Sequence, residues 1–256
     1  MKRDFVCQEL RLILLTPEIL ILCGTAATIA FVHTILGPDH YMPFVALGRA
    51  RKWSIARTGG VTLACGVGHI IGSFLLGLAG IALGIQLNSL EWIEGLRGEM
   101  AAWALVAVGL LYLSWGLRQA YRNKPHAHWH SHGDEVHFHE HNHRGSHSHV
   151  HTAAEVEGTS SQRGVTAWAL FMVFVVGPCE PLIPVLMFPA ARESWLGVFA
   201  VAGTYSLVTI VTMLAAVVLT LWGVQRIQIP WLNRFGHAIA GSVIMSCGLA
   251  VAVLGL

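Results

Sequence analysis

The chain has 256 residues, 54% of them apolar or aromatic and only 12% charged, with a formal net charge of +2. An average soluble domain carries roughly a quarter charged residues, so the composition excludes an ordinary soluble protein and places the chain in a membrane. Apolar runs near the ~20 residues that a spanning helix needs leave little chain for a soluble domain.

The first segment, residues 1–17, begins MKRDFVCQELRLILL. Basic residues ahead of an apolar stretch raise the question of a cleaved secretory signal. Glu9 and Arg11 interrupt it and no small-x-small cleavage site follows, so an interfacial helix leading into the first span is expected. The apolar runs then lie within residues 18–48, 59–87, 100–117, 165–188, 195–223 and 236–256. They predict an all-α polytopic membrane protein of six transmembrane helices, with residues 18–124 and 164–256 as two three-helix repeats around a loop at 125–163.

The first run contains VHTILGPDHYMPF, residues 32–44. Proline removes a backbone donor, and Gly37-Pro38 is expected to break the helix and leave carbonyls facing a cavity or an ion. His33, Asp39 and His40 cluster at this break. A carboxylate in the centre of a spanning helix costs at least ~2.5–3.5 kcal/mol, so something must compensate Asp39. A clamp formed with a histidine or an arginine would do so; a bound cation is the sharper alternative. The second run has small residues at every fourth position, Gly60, Ala64, Gly68 and Gly72, then, past Leu76, Gly80 and Gly84, a spacing that lets a neighbouring helix approach closely. It also carries His69, either a packing histidine or a further ligand.

The loop PHAHWHSHGDEVHFHEHNHRGSHSHVH, residues 125–151, holds eleven of the chain's 15 histidines: His126, His128, His130, His132, His137, His139, His141, His143, His147, His149 and His151. With too little apolar content to fold and too many ligands for one site, it reads as a flexible, low-specificity metal chelator.

Shifting the sequence by 140 residues lays GPDHYMPFV (37–45) on GPCEPLIPV (177–185). Three spans follow this plan in each half, and because three is odd the halves are expected to be inverted, the arrangement of many secondary transporters. Both Gly-Pro pairs then fall near the bilayer midplane. The second half supplies Cys179 and Glu180 there. Glu180 is a candidate ligand, proton carrier or counter-charge; Cys179 is a candidate ligand or an inert small residue. His237 reads as an interfacial or capping residue. The five cysteines, Cys7, Cys23, Cys65, Cys179 and Cys247, are scattered singly, which argues against a disulfide framework.

Lysine and arginine divide between the two sides. Lys2, Arg3, Arg11, Arg97 and Arg192 fall on one, and the remainder of the 16, from Arg49 to Arg234, on the other. The positive-inside rule puts the second set, with the His-rich loop, in the cytoplasm and both termini outside, in what reads as a bacterial inner membrane.

His33 with Asp39-His40, LACGVGHIIGS around His69, and the His-rich loop between the halves resemble the nickel/cobalt permease superfamily, including its urease- and hydrogenase-accessory-like branches. The resemblance implies that His33, Asp39 and His40 inherit a role in selecting metal. The chain departs from the family's pattern in its His-x5-Asp-His spacing, where the family has His-x4-Asp-His, and in carrying GPCEP in place of the second half's acidic signature. The same broader group of six-span proteins includes thiol-disulfide electron carriers with a Pro-Cys motif in each half, whereas here Asp39 stands opposite Cys179.

Imidazole and carboxylate together suit nickel, cobalt, zinc or ferrous iron. The expected function is therefore a permease for divalent metal, nickel or cobalt first, working by alternating access, with uptake favoured over efflux. Rival readings are a transmembrane thiol-disulfide carrier, an efflux, zinc or iron transporter of the same architecture, and a sensor or scaffold using the loop alone. No enzymatic activity or prosthetic group is expected; Ni2+ or Co2+ is the cargo. The expected partners are the metal ion and the lipid bilayer, with a cytoplasmic metallochaperone a further candidate and nucleic acid excluded.

Overall fold

Proline suits the first turn of a helix, where its missing N–H would go unsatisfied anyway, and helix α1 runs Pro17–Leu36. The computed structural model describes residues 17–122, 126–132, 135–141, 158–177, 179, 181–191, 195–226 and 230–254. The expected N-terminal interfacial segment up to residue 16, together with Glu180, His143, His147, His149 and His151, lies outside them. Helix α1 stops where Pro38 can no longer donate. Gly37, in an extended conformation, gives its N–H to the His33 carbonyl at 2.9 Å, a single 3-10 turn follows at Pro38–His40, and α2 restarts at Met42–Ala50.

Helix α3, Ile55–Leu83, opens on an N-cap in which Ser54 accepts from the Arg57 amide. It closes on Gly84, whose φ of 64° lets the amides of Gly84 and Ile85 turn back onto Ile81 and Gly80. Helix α4 follows at Leu87–Arg122. After it come strands β1, His126–His132, and β2, Glu135–His141, then α5, Gly158–Val176. A second interruption precedes α6, Leu182–Ala191, and the fold ends with α7, Trp195–Gln225, and α8, Pro230–Leu254.

The body is helical, as expected, and among the described residues five helices are long and apolar enough to cross a membrane: α1, α3, α4, α7 and the Arg234–Leu254 part of α8. The run at 165–188 is divided between α5, apolar from Ala167 to Val176, and α6. Outward faces keep large apolar side chains such as Leu111 at 72% exposure and Leu207 at 65%. Such surfaces would be penalised in water and are at ease in lipid.

Two expectations change. The apolar run at 100–117 is only the middle of α4, which has 36 residues and a length of about 54 Å. Arg97 is therefore a helical residue and marks no loop. The His-rich segment, expected to be unstructured, includes a two-stranded antiparallel hairpin in which His126, His128 and His130 stand opposite His141, His139 and His137. The period-two histidine spacing is the period of a strand, and two such runs separated by Gly133-Asp134 are a hairpin signal in the sequence.

Helices α4 and α8 form the most intimate pair. A Cβ on Gly109 would overlap the backbone of Met245, one on Gly116 that of Ala238, and one on Gly241 that of Leu113. Gly248 likewise abuts Ala102 and Val106. The small-residue stripe on α3 splits in its use: Gly68 and Gly72 face Val175 of α5, Gly80 faces Leu90 of α4, Gly84 is the cap, and Gly60 meets nothing within 4 Å. One buried cluster gathers Phe44 and Leu47 of α2 with Cys65, Leu105, Phe174, Met213 and Ile244. A second joins Ala26 and Ala30 of α1 to Leu182, Leu186, Val201 and Tyr205.

Replacing Gly109 or Gly241 by valine is expected to destabilise the protein by at least about 1–3 kcal/mol through overpacking, whereas Gly60→Ala is expected to be tolerated. Thermal unfolding of the detergent-solubilised variants, followed by loss of the monodisperse peak, checks the contrast.

Candidate metal centre

Both interruptions lie against the middle of α3, so the groups they free converge there. At the first break the Gly37 carbonyl accepts from the His40 amide at 3.1 Å and also lies 3.1 Å from His40 Nδ1. A carbonyl can only accept, so this Nδ1 carries the proton, and in the neutral ring Nε2 keeps its lone pair. Tyr41 Oη donates to the Ile35 carbonyl at 3.3 Å, another acceptor released by the break. The fold of this turn depends on Gly37 having no side chain: a Cβ would stand 2.5 Å from His40 Nδ1 and 2.9 Å from Asp39 Oδ1.

At the second break Pro178 has no N–H to give the Phe174 carbonyl. His69, halfway along α3, occupies that acceptor instead, with Nδ1 at 3.3 Å. Its tautomer is set in the same way as that of His40, leaving Nε2 as a bare acceptor. Histidines that bind metal commonly donate their other nitrogen to a backbone carbonyl, which fixes the ring and raises its basicity.

His33, His40 and His69 form a chain of edge-on rings, 4.8 Å between the centroids of His33 and His40 and 5.5 Å between those of His40 and His69. Asp39 Oδ1 approaches His40 Nδ1 to 3.2 Å. His40 and His69 are buried, at 3% and 5% exposure. Among the described residues six buried side-chain polar atoms lack a hydrogen-bond partner, and three of them are the Nε2 atoms of these histidines; a fourth, Asp39 Oδ1, has the ion-pair approach of His40 Nδ1. Each such atom costs about 1–3 kcal/mol if left unmatched, so their concentration at one place points to a ligand that accepts lone pairs. The four side chains share a cavity of about 430 Å3, which extends past Gly95, Gly98 and Glu99 of α4 and is closed by Phe174, Gly177 and Val251. Among the described residues no three donors converge on one coordination point; a cation entering the cavity would have to draw the Nε2 atoms together.

The remaining candidates are placed elsewhere. Cys179 is fully buried and its thiol donates to Tyr205 Oη at 3.4 Å. Cys23, Cys65, Cys179 and Cys247 form no disulfide among the described residues. His237 packs against Trp115 and pairs with Tyr112 Oη at 2.8 Å between α4 and α8, which makes it an interhelical contact. Sequence reading missed Glu94 and Arg97. Glu94 is 1% exposed, is ion-paired with Arg97 and accepts from Ser73 Oγ and the Cys179 amide, both at 3.2 Å. The available signal was the three-residue spacing of opposite charges at the start of an apolar helix, hidden because the segment was read as a loop.

Gly37→Ala is expected to turn His40 off its carbonyl and weaken nickel binding by about tenfold or more, while Gly24→Ala, which meets nothing within 4 Å, is expected to leave it unchanged. Titration calorimetry measures both in purified protein whose loop histidines, His126 to His151, are replaced by asparagine, so that only the cavity is read. Comparison with known proteins finds no match for this chain: no family model, no curated protein and no solved structure.

Proposed function

We propose that the chain is a membrane permease for a divalent transition-metal cation, nickel or cobalt, with His33, Asp39, His40 and His69 replacing part of the ion's water shell. The observation that carries this reading is the gathering of three partnerless imidazole nitrogens and a carboxylate oxygen in one cavity beside a broken helix. An imidazole and carboxylate donor set suits nickel, cobalt, zinc or ferrous iron better than copper(I). The likeness of the His33, Asp39-His40 and His69 motifs to those of nickel/cobalt permeases favours the first two.

Six crossings in a three-plus-three inverted repeat give the site its setting. Supporting this, each half consists of a broken helix followed by two long ones. The packing partners are also exchanged between halves: α1 lies on α7 as α5 lies on α3, α2 lies on α8 as α6 lies on α4, and α4 pairs with α8. Alternating access is then a rearrangement of the two breaks about α3 and α7. The paired histidines of the hairpin that follows α4 gather metal at low specificity on the side to which α4 delivers them. On the charge distribution that side is the cytoplasm. Inward movement of a divalent cation down a 100 mV potential gains about 4.6 kcal/mol, twice the ~2.3 per charge, so uptake can run on the potential alone. The thiol-disulfide alternative is disfavoured by Cys179 facing a tyrosine, with Asp39 in the corresponding place of the first half.

Alanine at Asp39 or at His40 is expected to cut radioactive-nickel flux into proteoliposomes by at least about tenfold. Flux equal to wild type in both variants would remove the basis of the proposal. Ligation needs neutral imidazoles and an ionised carboxylate.

A further inference from the structure

The second break is held by a polar network that does not line up with the imidazoles yet ends on one of them. Breaking α5 at Gly177-Pro178 frees the carbonyls of Phe174 and Val175 and the amide of Cys179. The amide is taken by Ser73 Oγ at 2.9 Å and Glu94 Oε2 at 3.2 Å. The Val175 carbonyl accepts from Arg97 Nη2 at 3.3 Å, while the other arm of the same guanidinium binds Glu94 Oε1. The adjacent Phe174 carbonyl accepts from His69 Nδ1 at 3.3 Å.

Gly72 makes this reach possible, because a Cβ there would stand 2.8 Å from the Val175 oxygen and 2.9 Å from Arg97 Nη2. His69, Gly72 and Ser73 occupy neighbouring positions one turn apart on α3, so a single helix face touches both the metal centre and the clamp. Satisfying one amide and one carbonyl does not call for an ion pair. Ser73 alone supplies the acceptor, and burying two charges carries a desolvation penalty that hydrogen-bonded partners must offset. The pair does something a serine and a water would not: it fixes Val175, and with it the neighbouring carbonyl that sets the proton of His69.

We infer that Glu94 and Arg97 are positioning residues for the metal centre, clamping the broken end of α5 so that the Phe174 carbonyl holds His69 Nδ1–H and presents Nε2 to the cation. The inference rests on the reading of His33, Asp39, His40 and His69 as a cation site. It makes the occupancy of that site sensitive to the conformation of the second break, although Glu94 and Arg97 touch no ligand.

The test uses the full-length protein in detergent with each loop histidine from His126 to His151 replaced by asparagine, so that the loop contributes no imidazole; it is titrated with cobalt(II), whose visible absorption bands report the ligand set as well as the affinity. The neutral pair Glu94→Gln with Arg97→Gln keeps hydrogen-bonding groups while removing both charges, and His69→Ala supplies the reference spectrum for loss of that imidazole. The expected result is about tenfold weaker cobalt binding, with the spectrum shifted to that of His69→Ala. Wild-type affinity, or weaker binding with a wild-type spectrum, overturns the inference. Should the double variant not yield a monodisperse protein, Arg97→Lys keeps the charge but not the two-armed reach. It is expected to show the same spectral shift, and a wild-type spectrum again overturns the inference. His40→Ala separates the two levels of the argument: cobalt binding that survives it removes the cation site and the clamp together. Binding that it abolishes, alongside wild-type behaviour of the clamp variants, removes the clamp alone.

Discussion

A proline in a helix has no N–H to offer the fourth carbonyl back, and inside a body of apolar helices little water stands ready to replace it. This chain has that deficit at Gly37-Pro38, at Gly177-Pro178 and again at Pro189 inside α6, and much of what is specific about its interior follows from how the groups freed at the two Gly-Pro breaks are matched. At the first break the deficit is answered locally: the His40 ring folds back on the Gly37 carbonyl and Tyr41 reaches the carbonyl of Ile35. At the second it is answered from other helices, by His69 and Ser73 of α3 and by Glu94 and Arg97 of α4.

This difference gives His69 its place. One nitrogen satisfies the second break while the ring meets that of His40, at the first, edge-on with centroids 5.5 Å apart, so the histidine joins the two halves through a single ring. The same logic applies to His40, whose Nδ1 serves the backbone while Nε2 stays bare. Backbone repair and lone-pair presentation are thus one act, and a break that would otherwise only weaken a helix orients the imidazoles around the cavity.

The supporting frame is built on absence of side chains. Gly109, Gly116, Gly241 and Gly248 bring α4 and α8 into backbone contact, which fixes the helix that carries Glu94 and Arg97. Without a hydrophobic driving force between helices in lipid, such close packing together with interhelical hydrogen bonds is what holds them in register. Gly37 and Gly72 act at shorter range, clearing room for the His40 ring and for the Arg97 guanidinium.

Much of this was legible in the residues alone. Apolar runs of spanning length anticipated the five long apolar helices among the described residues, while a sixth, at 165–188, divides between α5 and α6; lipid imposes a length and a polarity that a linear pattern records. Gly-Pro located the breaks, because a missing donor is a property of one residue. The costly ionisable groups His33, Asp39, His40 and His69 named themselves in the same way. Properties that belong to pairs of distant residues were not legible. That Glu94 and Arg97 lie inside α4 and serve α5, that the Cys179 thiol meets Tyr205, and that glycines on α4 and α8 meet are matters of which faces come together. The hairpin was a different kind of miss, since its period-two histidines and Gly-Asp spacing were on display but were read as composition instead of as pattern. Local sequence determines which groups a break sets free; only the tertiary packing decides which side chains, brought from far along the chain, arrive to receive them.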